Sequence, residues 1–476
     1  MSAREEPAGP LLLSARERGR LWEQLAARVE DYTRQIPRLR VAPELDPEAV
    51  RSELAPFDFT EPLEPERALD FAARGLVRYQ THTPHPGYFG LFNPAPTFMG
   101  VVGDALVAAF NPQLAAWSHS PLAIEIEHHL VRAFGRRFGW PEGSSHGTFC
   151  SGGAEANHTA LLTALVHHFP ELPARGLRGL EAEPVLYASA EAHHSIRKAA
   201  AVSGLGTEAA REVGVDAALC MKPAVLAGQV QEDLDAGREP FLVVATAGTT
   251  NAGAVDRISE IAEIAERHKL WLHVDAAWGG AAALVPELRG VLAGIDRADS
   301  ITFDAHKWLS VPMGAGVYLT RHREILRRTF ATDNFYMPRE ASHLPVEDPF
   351  NHSLQWSRRF TGLKLFLSLA VAGWDGYARV IRHQVQMGDL LREELKKRGW
   401  KLRNQTPLPV VCFTPPGAAS PEELEALAGR VLGSGRAWIS TTRLGDGETV
   451  LRACVTNYRT GPDHVRELVE VLERAR

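Results

Sequence analysis

Four short segments carry residue types whose spacing could do chemistry. In Asp304-Ala305-His306-Lys307-Trp308 a lysine sits among apolar and aromatic neighbours, directly after the apolar run Ser300 to Phe303. A desolvated lysine loses its proton more readily and can form a Schiff base with an aldehyde. The plainer reading is a surface lysine with its stem laid along apolar groups. In Leu270-Trp-Leu-His-Val-Asp275-Ala-Ala277 an acid ends an apolar run and two small residues follow. A buried carboxylate needs a cationic partner, and small residues leave room for a flat group. An acid capping a strand end fits equally. Cys150-Ser151-Gly152-Gly153-Ala154-Glu155 runs into a helical pattern. Its glycines let backbone N–H groups turn toward an anion, and the helix dipole favours a phosphate there. A simple glycine turn fits the same residues. Ala192-His193-His194-Ser195 lies just beyond the run Val185 to Ser189. A histidine there can stack on a planar ligand or satisfy a loop.

Together the four segments fit one ligand: a flat, cationic ring with a phosphate at one end and an aldehyde that a lysine can capture. Pyridoxal 5'-phosphate has that form. Its protein partners are a Schiff-base lysine and an acid on the pyridinium nitrogen. Phosphate loop, stacking histidine, acid and lysine follow one another along the chain at successive strand ends, where open α/β sheets bind ligands. The glycine loop is neither GxGxxG nor a Walker A sequence, so a dinucleotide or triphosphate is not indicated. His128-His129 and His167-His168 are adjacent pairs, whose side chains diverge by about 100° on a helix. No HExxH spacing occurs, and no metal site is expected.

The elements that must position these residues follow from the pattern. From about 100 to 330, helical periodicity (122–138, 155–169, 259–269) alternates with short apolar runs at 185–189, 241–246, 270–275, 300–303 and 316–319. Short runs apolar on both faces read as buried parallel strands, and their alternation with helices as a doubly wound α/β sheet. Residues 17–36 read as an amphipathic helix. The Pro-rich stretch Val41 to Glu66 cannot form one continuous element. Toward the C-terminus a helix from Gly376 to Arg398 precedes a strand at 409–413. A helix opening at Ser420-Pro421-Glu422-Glu423 has a capping box. Strand-like runs at 437–443 and 449–456 and a helix over 462–475 complete a small α+β unit. The division expected is an N-terminal arm (1–95) that packs on a partner subunit, a large cofactor-binding α/β domain (96–375) and a small C-terminal domain (376–476).

Composition sets the class. The 476 residues are 45% hydrophobic and 23% charged, with 52 Lys+Arg against 58 Asp+Glu and a formal net charge of −6. A basic excess that would suit nucleic acid or an anionic membrane is missing. Four scattered cysteines without CxxC argue against a disulfide framework or zinc, and a reducing, cytoplasmic setting is expected. No signal peptide or membrane span is read from the sequence.

The motifs CSGGAEAN, EAHHSIRKAA, ATAGTT, WLHVDAAWGG and FDAHKWL, in this order and with 32 positions from Asp275 to Lys307, make the chain resemble the group II pyridoxal-phosphate-dependent amino acid decarboxylases, relatives of aromatic L-amino acid and glutamate decarboxylase. The resemblance runs from HPGYFGLFN to the C-terminal strand. It implies the fold-type I architecture, with a mostly parallel central sheet covered by helices on both faces. It implies a carboxy-lyase that converts an L-amino acid to its amine and carbon dioxide. In this family Lys307 would bind the cofactor aldehyde and Asp275 would keep the ring nitrogen protonated. His193 would stack on one ring face, with Ala277 under the other. Thr250 would lie near the ring, His306 would precede the lysine, and Gly152, Gly153 and Ala154 would hold the phosphate. Tyr336, after Thr332-Asp-Asn-Phe, would protonate the substrate carbon in the partner subunit's site. That makes a homodimer with shared active sites the expected assembly. Arg452 would meet the substrate carboxylate.

Departures from the aromatic branch bear on the substrate. Gln113 and Ala115 replace apolar bulk, and Asp304 replaces an asparagine. An acid aimed at a phosphate would repel it, so Asp304 is expected to face elsewhere. Phe92, beside Asn93, and Trp117 suit an aromatic or bulky hydrophobic amino acid, the main expectation, whereas Gln113 and Asn93 suit an acidic or polar one. An aldehyde synthase, an aminotransferase and a catalytically silent cofactor-binding protein would share many of these motifs.

Overall fold

Strands form where apolar runs can be buried on both faces, and they stop where a charged or glycine residue must meet the site. In the computed structural model, residues 11–332, 336–338, 340–445 and 447–476 are described. Seven strands make the large sheet: β1 (His146–Cys150), β2 (Pro184–Ser189), β3 (Ala210–Val213), β4 (Glu239–Thr246), β5 (Trp271–Asp275), β6 (Ser300–Asp304) and β7 (Gly316–Thr320). Their order is β1-β7-β6-β5-β4-β2-β3. The β3-β2-β4-β5-β6 run is parallel, and β7 is antiparallel to both β6 and β1. The expectation of a parallel strand at 316–319 is therefore corrected. The connection 305–315 is too short for a helical crossover, so the chain turns back on itself. That connection carries His306 and Lys307.

The two sheet faces have different tasks. Val243, Ala245, Val274, Ile301 and Phe303 pack into one apolar core with residues of the helix Ile258–His268. The opposite face holds Leu242, Val244, Trp271 and Tyr318 against the helices Gly153–His168 and Ser195–Val202. Ala156, Ala160 and Ala164 form a small-residue stripe along the first of these helices. Small side chains at that spacing let it lie close to the sheet. On this second face the polar residues His273, Asp275, Ser300, Thr302 and Asp304 are also buried.

Beyond the sheet, the helix read from Gly376 extends back to Gly362. Helix Gly362–Lys397 is broken at Gly373, whose φ of 63° only glycine adopts freely. A second sheet, in the order β10-β11-β9-β8, is antiparallel throughout: β8 (Lys401–Leu402), β9 (Val410–Thr414), β10 (Ser440–Arg443) and β11 (Thr449–Cys454). The helix Pro421–Gly433 starts with the capping box expected at Ser420 and Glu423. At the other end of the chain, the helices Ala15–Gln35 and Pro65–Tyr79 are joined by ion pairs Arg20–Glu66 and Arg28–Asp70. The first of them buries no residue. The following segment, 85–93, hydrogen-bonds along the second sheet. Trp438 N donates to Gly87 O (3.0 Å), Phe89 N to Trp438 O (2.9 Å) and Cys454 N to Phe89 O (2.9 Å). Among the described residues no helix is long and apolar enough to cross a membrane.

Gly316 opens β7 where three chain segments converge. A Cβ there would lie 2.6 Å from Gly152 Cα and 2.8 Å from Asp304 Oδ1. Gly316→Ala is expected to lower stability by about 1–3 kcal/mol, as overpacking does. Gly228→Ala, inside the helix Pro223–Asp235 with nothing near its Cβ position, is expected to raise it by about 0.5–1 kcal/mol. Urea unfolding midpoints of the two variants check the contrast.

Candidate functional site

The carboxyl ends of β4, β5 and β6 bring Thr246, Asp275 and Asp304 to one edge of the sheet, on the face covered by the helix Gly153–His168. Thr246 and Asp275 are register partners. A carboxylate buried at such a place must be compensated by donors, and both acids find them on the same helix. Asn157 Nδ2 donates to Asp275 Oδ2 (2.8 Å), and Ala277 N donates to Asp275 Oδ1 (3.1 Å). Gly153 N donates to Asp304 Oδ2 (3.0 Å), and the Lys307 ammonium reaches the same oxygen at 2.9 Å.

Asp304 is 1% exposed, and it points into the glycine cradle. This corrects the expectation that it faces elsewhere. Repulsion of an incoming phosphate is only one side of the balance, and the carboxylate's own need for donors is the other. At the end of β6 its nearest compensating groups are a helix N-terminus and an ammonium, both of which attract a negative charge. His306 lies alongside, with Nε2 3.8 Å from Asp304 Oδ2 and Nδ1 accepting from Ala315 N (3.1 Å). Burial pushes its pKa below the ordinary value.

The cradle itself is formed by 151–154. Ser151 N donates to Glu155 Oε2 (2.7 Å) and Gly153 N to Asp304, while the N–H groups of Gly152 and Ala154 take no partner among the described residues. Ala277 Cβ lies 3.3 Å from the Cβ position of Gly153, and Ala277 O accepts from Asp304 N (2.8 Å). His193 is exposed, and its Nδ1 accepts from Ser195 N (3.2 Å). Burial lowers its pKa, opposed by the charge of Asp275 and reinforced by that of Lys307. Lys307, Asp275, His193, Ala277, His306 and the 152–154 loop thus share one site.

Thr250 is half-buried in the turn after β4. The threonine set beside Asp275 is Thr246, whose buried Oγ1 has no partner among the described residues. On another side, Phe92 stacks on Trp278 (centroids 4.4 Å apart, planes 20°), and Arg452 lies over Phe92 (5.1 Å). Arg452 is 3% exposed; its Nη1 donates to Ser440 Oγ (3.4 Å), while its Nε and Nη2 have no hydrogen-bond partner among the described residues. Asn93 accepts from Tyr88 Oη (3.2 Å).

Three sequence-derived residues lie apart from these on the chain. Gln113 donates to Ser357 Oγ (3.4 Å) and lines an apolar groove of about 620 Å³ with Leu106, Phe110, Leu122 and Phe360. Trp117 Nε1 donates to Glu125 (3.1 Å). Tyr336, 76% exposed, stacks on Trp356 (6.0 Å). Residues 333–335 of its segment lie outside the described residues.

The residues missed from the sequence are Asn157, Ser195, Thr246 and His273. Asn157 is one helical turn past Gly153, and His273 is two residues before Asp275 on the same strand face. Both spacings were legible signals.

An aldehyde-bearing ring with a phosphate fits what these atoms leave unmet: N–H groups at a helix N-terminus and the Thr246 hydroxyl, unpartnered among the described residues, beside an amine and an acid. Residues 47–415 match the pyridoxal-dependent decarboxylase conserved domain. The chain is 31% identical over 468 residues to the aromatic-L-amino-acid decarboxylase of Bacillus atrophaeus, covering 96% of this chain and 95% of that one. It is 34% identical over 365 residues to acidic amino acid decarboxylase GADL1 of Bos taurus, covering 76% and 70%. A crystal structure of Oryza sativa TDC with PLP and tryptamine superposes with a TM-score of 0.91 at 26% identity over 99% of each chain.

Two buried histidines, His273 on the polar face and His85 in the 85–93 segment, also set a pH dependence. Burial pushes His273 and His85 down to about 4. An unfolded histidine, at about 6.5, takes up its proton earlier on acidification than the folded one. Stability is therefore expected to fall as pH drops from about 6.5 to about 4, by up to about 1.4 kcal/mol per pH unit for each group. Denaturant midpoints across that range check it, and His273→Gln should flatten part of the slope.

Proposed function

The chain belongs to the pyridoxal-dependent decarboxylase family, and on that premise we propose that it removes the α-carboxylate of an aromatic or bulky hydrophobic L-amino acid at the site of Lys307 and Asp275. The observation that carries the site assignment is that one helix N-terminus serves both acids, Gly153 N–H on Asp304 beside Lys307 and the Asn157 amide on Asp275. The enzyme is a pyridoxal-phosphate-dependent amino acid decarboxylase.

Bound pyridoxal phosphate supplies an electron sink for the pair left on Cα when carbon dioxide departs. Lys307 is assigned to its aldehyde and Asp275 to the proton on its ring nitrogen. His193 and Ala277 are assigned to its two faces and Thr250 to its rim. The N–H groups of Gly152, Gly153 and Ala154, with His306, are assigned to its phosphate. For Gly153 this requires Asp304 to yield its hydrogen bond. Asp275, gripped by two N–H donors, keeps one orientation toward the proton it holds. The apolar pair Phe92–Trp278 excludes water from one wall and offers a flat surface to an aromatic side chain. Arg452, buried with unpaired N–H groups, is assigned to a substrate carboxylate. The same guanidinium favours a second reading, in which it pairs with the side chain of an acidic amino acid.

Tyr336, exposed on its own chain, is assigned to the site of a second copy, where its hydroxyl returns a proton to Cα. Gln113 and Trp117 belong on the same side of that contact. The exposed apolar residues of the Gln113 groove and the unburied helix Ala15–Gln35 support a homodimer.

Activity and labelling measurements test this reading. Lys307→Ala should lose the lysine-bound cofactor fixed by borohydride, seen by mass spectrometry; label persisting on another lysine would move the site. Asp275→Asn should lower kcat by about a hundredfold or more, ~1.4 kcal/mol of barrier for each tenfold. Release of carbon dioxide from a panel of L-amino acids should be greatest for aromatic ones, and greatest release from aspartate, glutamate or cysteine sulfinate would favour the second reading. Co-expressed Lys307→Ala and Tyr336→Phe chains should recover about a quarter of wild-type turnover, because half the dimers are hybrids with one native site. No recovery above the single variants would place Tyr336 outside a shared site.

A further inference from the structure

A hydrogen-bonded chain runs unbroken beneath the site from Trp271 to His193, and its donor and acceptor senses are fixed by groups that have no choice. An ionised Asp275 oxygen can only accept, so the Asn157 atom 2.8 Å from Oδ2 is the amide nitrogen, and its second N–H donates to Ser195 Oγ at 2.9 Å. Asn157 Oδ1 then faces His273 Nε2 at 3.1 Å, and that nitrogen carries the proton. Burial keeps the His273 ring neutral, its pKa pushed down to about 4. Its bare Nδ1 accepts the Ser300 hydroxyl at 2.8 Å. Ser300 Oγ accepts in turn from Trp271 Nε1 at 2.8 Å, an indole N–H that can only donate. Toward the site, the Ser195 hydroxyl donates to His193 Nδ1 at 2.9 Å, and the Ser195 backbone N–H points at the same nitrogen at 3.2 Å. Two donors on Nδ1 leave the proton of neutral His193 on Nε2.

We propose that Asn157 and His273 are positioning residues that lock one amide in one orientation, so that a single side chain holds the Asp275 carboxylate and, through Ser195, fixes His193 as the Nε2–H tautomer. His193 therefore presents a proton donor to the site rather than a base. His273 makes the lock one-way. Without its Nε2–H, Asn157 Oδ1 loses the donor it faces and the amide can turn, which would set a carbonyl against Asp275. Thr302 Oγ1, 3.2 Å from His273 Nε2, shares that proton but cannot replace the ring. The inference rests on the assignment of Asp275 and His193 to the cofactor ring.

The tautomer can be read without cofactor. In apoprotein with 15N-labelled histidine, long-range 1H–15N spectra, assigned by difference with His193→Gln, should show His193 protonated at Nε2; protonation at Nδ1 overturns the proposal. In holoprotein, His273→Leu keeps the bulk and loses the donor. It should shift the pH midpoint of the cofactor absorbance by about half a unit or more and weaken cofactor retention about tenfold. His273→Gln, which keeps an N–H donor, should restore both. An unshifted His273→Leu, or a His273→Gln as impaired as the leucine variant, overturns the lock. If His273→Leu does not fold, Asn157→Asp has the same shape and sets a second carboxylate against Asp275; the same shift is expected, and its absence is equally decisive. A wild-type chain that shows no cofactor absorbance would defeat the site assignment itself, a different failure from unshifted variants of a normal holoprotein.

Discussion

The site depends on the compensation of two carboxylates that the sheet buries at the ends of adjacent strands. Asp275 and Asp304 end β5 and β6 on the face that carries Trp271 and Tyr318, away from bulk water. Removing a carboxylate from water is so unfavourable that several donors must converge on it. The N-terminal turns of the helix Gly153–His168 supply them, and this requirement dictates the local sequence. Gly153 leaves Asp304 room, since its Cβ position is 2.8 Å from Oδ2, and Gly316 is bounded by Gly152 and Asp304. The alanine stripe at 156, 160 and 164 keeps the helix close enough for its backbone and the Asn157 amide to arrive.

The antiparallel return of β7 is part of the same arrangement. Because the chain doubles back after β6 through 305–315, Lys307 stays beside the acid that ends β6, and its ammonium meets Asp304 at 2.9 Å. Ala315 N donates to His306 Nδ1 across the same connection (3.1 Å), which ties its two ends together.

Much of this is legible in the sequence, because the strands that hold the site are uniformly apolar and end in charge: 241–246, 270–275 and 300–303 stand within two residues of β4, β5 and β6. The capping box at Ser420 and the helix opening at Pro462 are equally direct. Other features are hidden for physical reasons. β1, His-Gly-Thr-Phe-Cys, has no strand-like run, and its Gly147 is needed because a Cβ would lie 2.2 Å from Tyr318 O. The helix Pro65–Tyr79 buries none of its residues, so charge masks its apolar stripe. The direction of β7 was within reach of the sequence, since the runs at 300–303 and 316–319 leave a connection too short for a helical crossover. The orientation of Asp304 escapes a sequence reading because its repulsion of a ligand is visible from residue types, whereas its need for donors appears only when the helix N-terminus is in place. Asn157 and His273 could be placed by their spacing from Gly153 and Asp275, but that they act through other side chains shows only in the hydrogen bonds of the fold.

Phe92 and Arg452, which meet in the fold, come from the two ends of the chain. Phe92 arrives on the 85–93 segment, which is laced to Trp438 and Cys454 by main-chain hydrogen bonds, and Arg452 arrives on β11 of the same small sheet. The aromatic plate and the guanidinium above it therefore share one chassis, which holds their mutual spacing. For anyone building chimaeras among relatives, the exchangeable cassette is discontinuous: transplanting the C-terminal sheet without its N-terminal lacing strip would part the plate from the charge that rides on it.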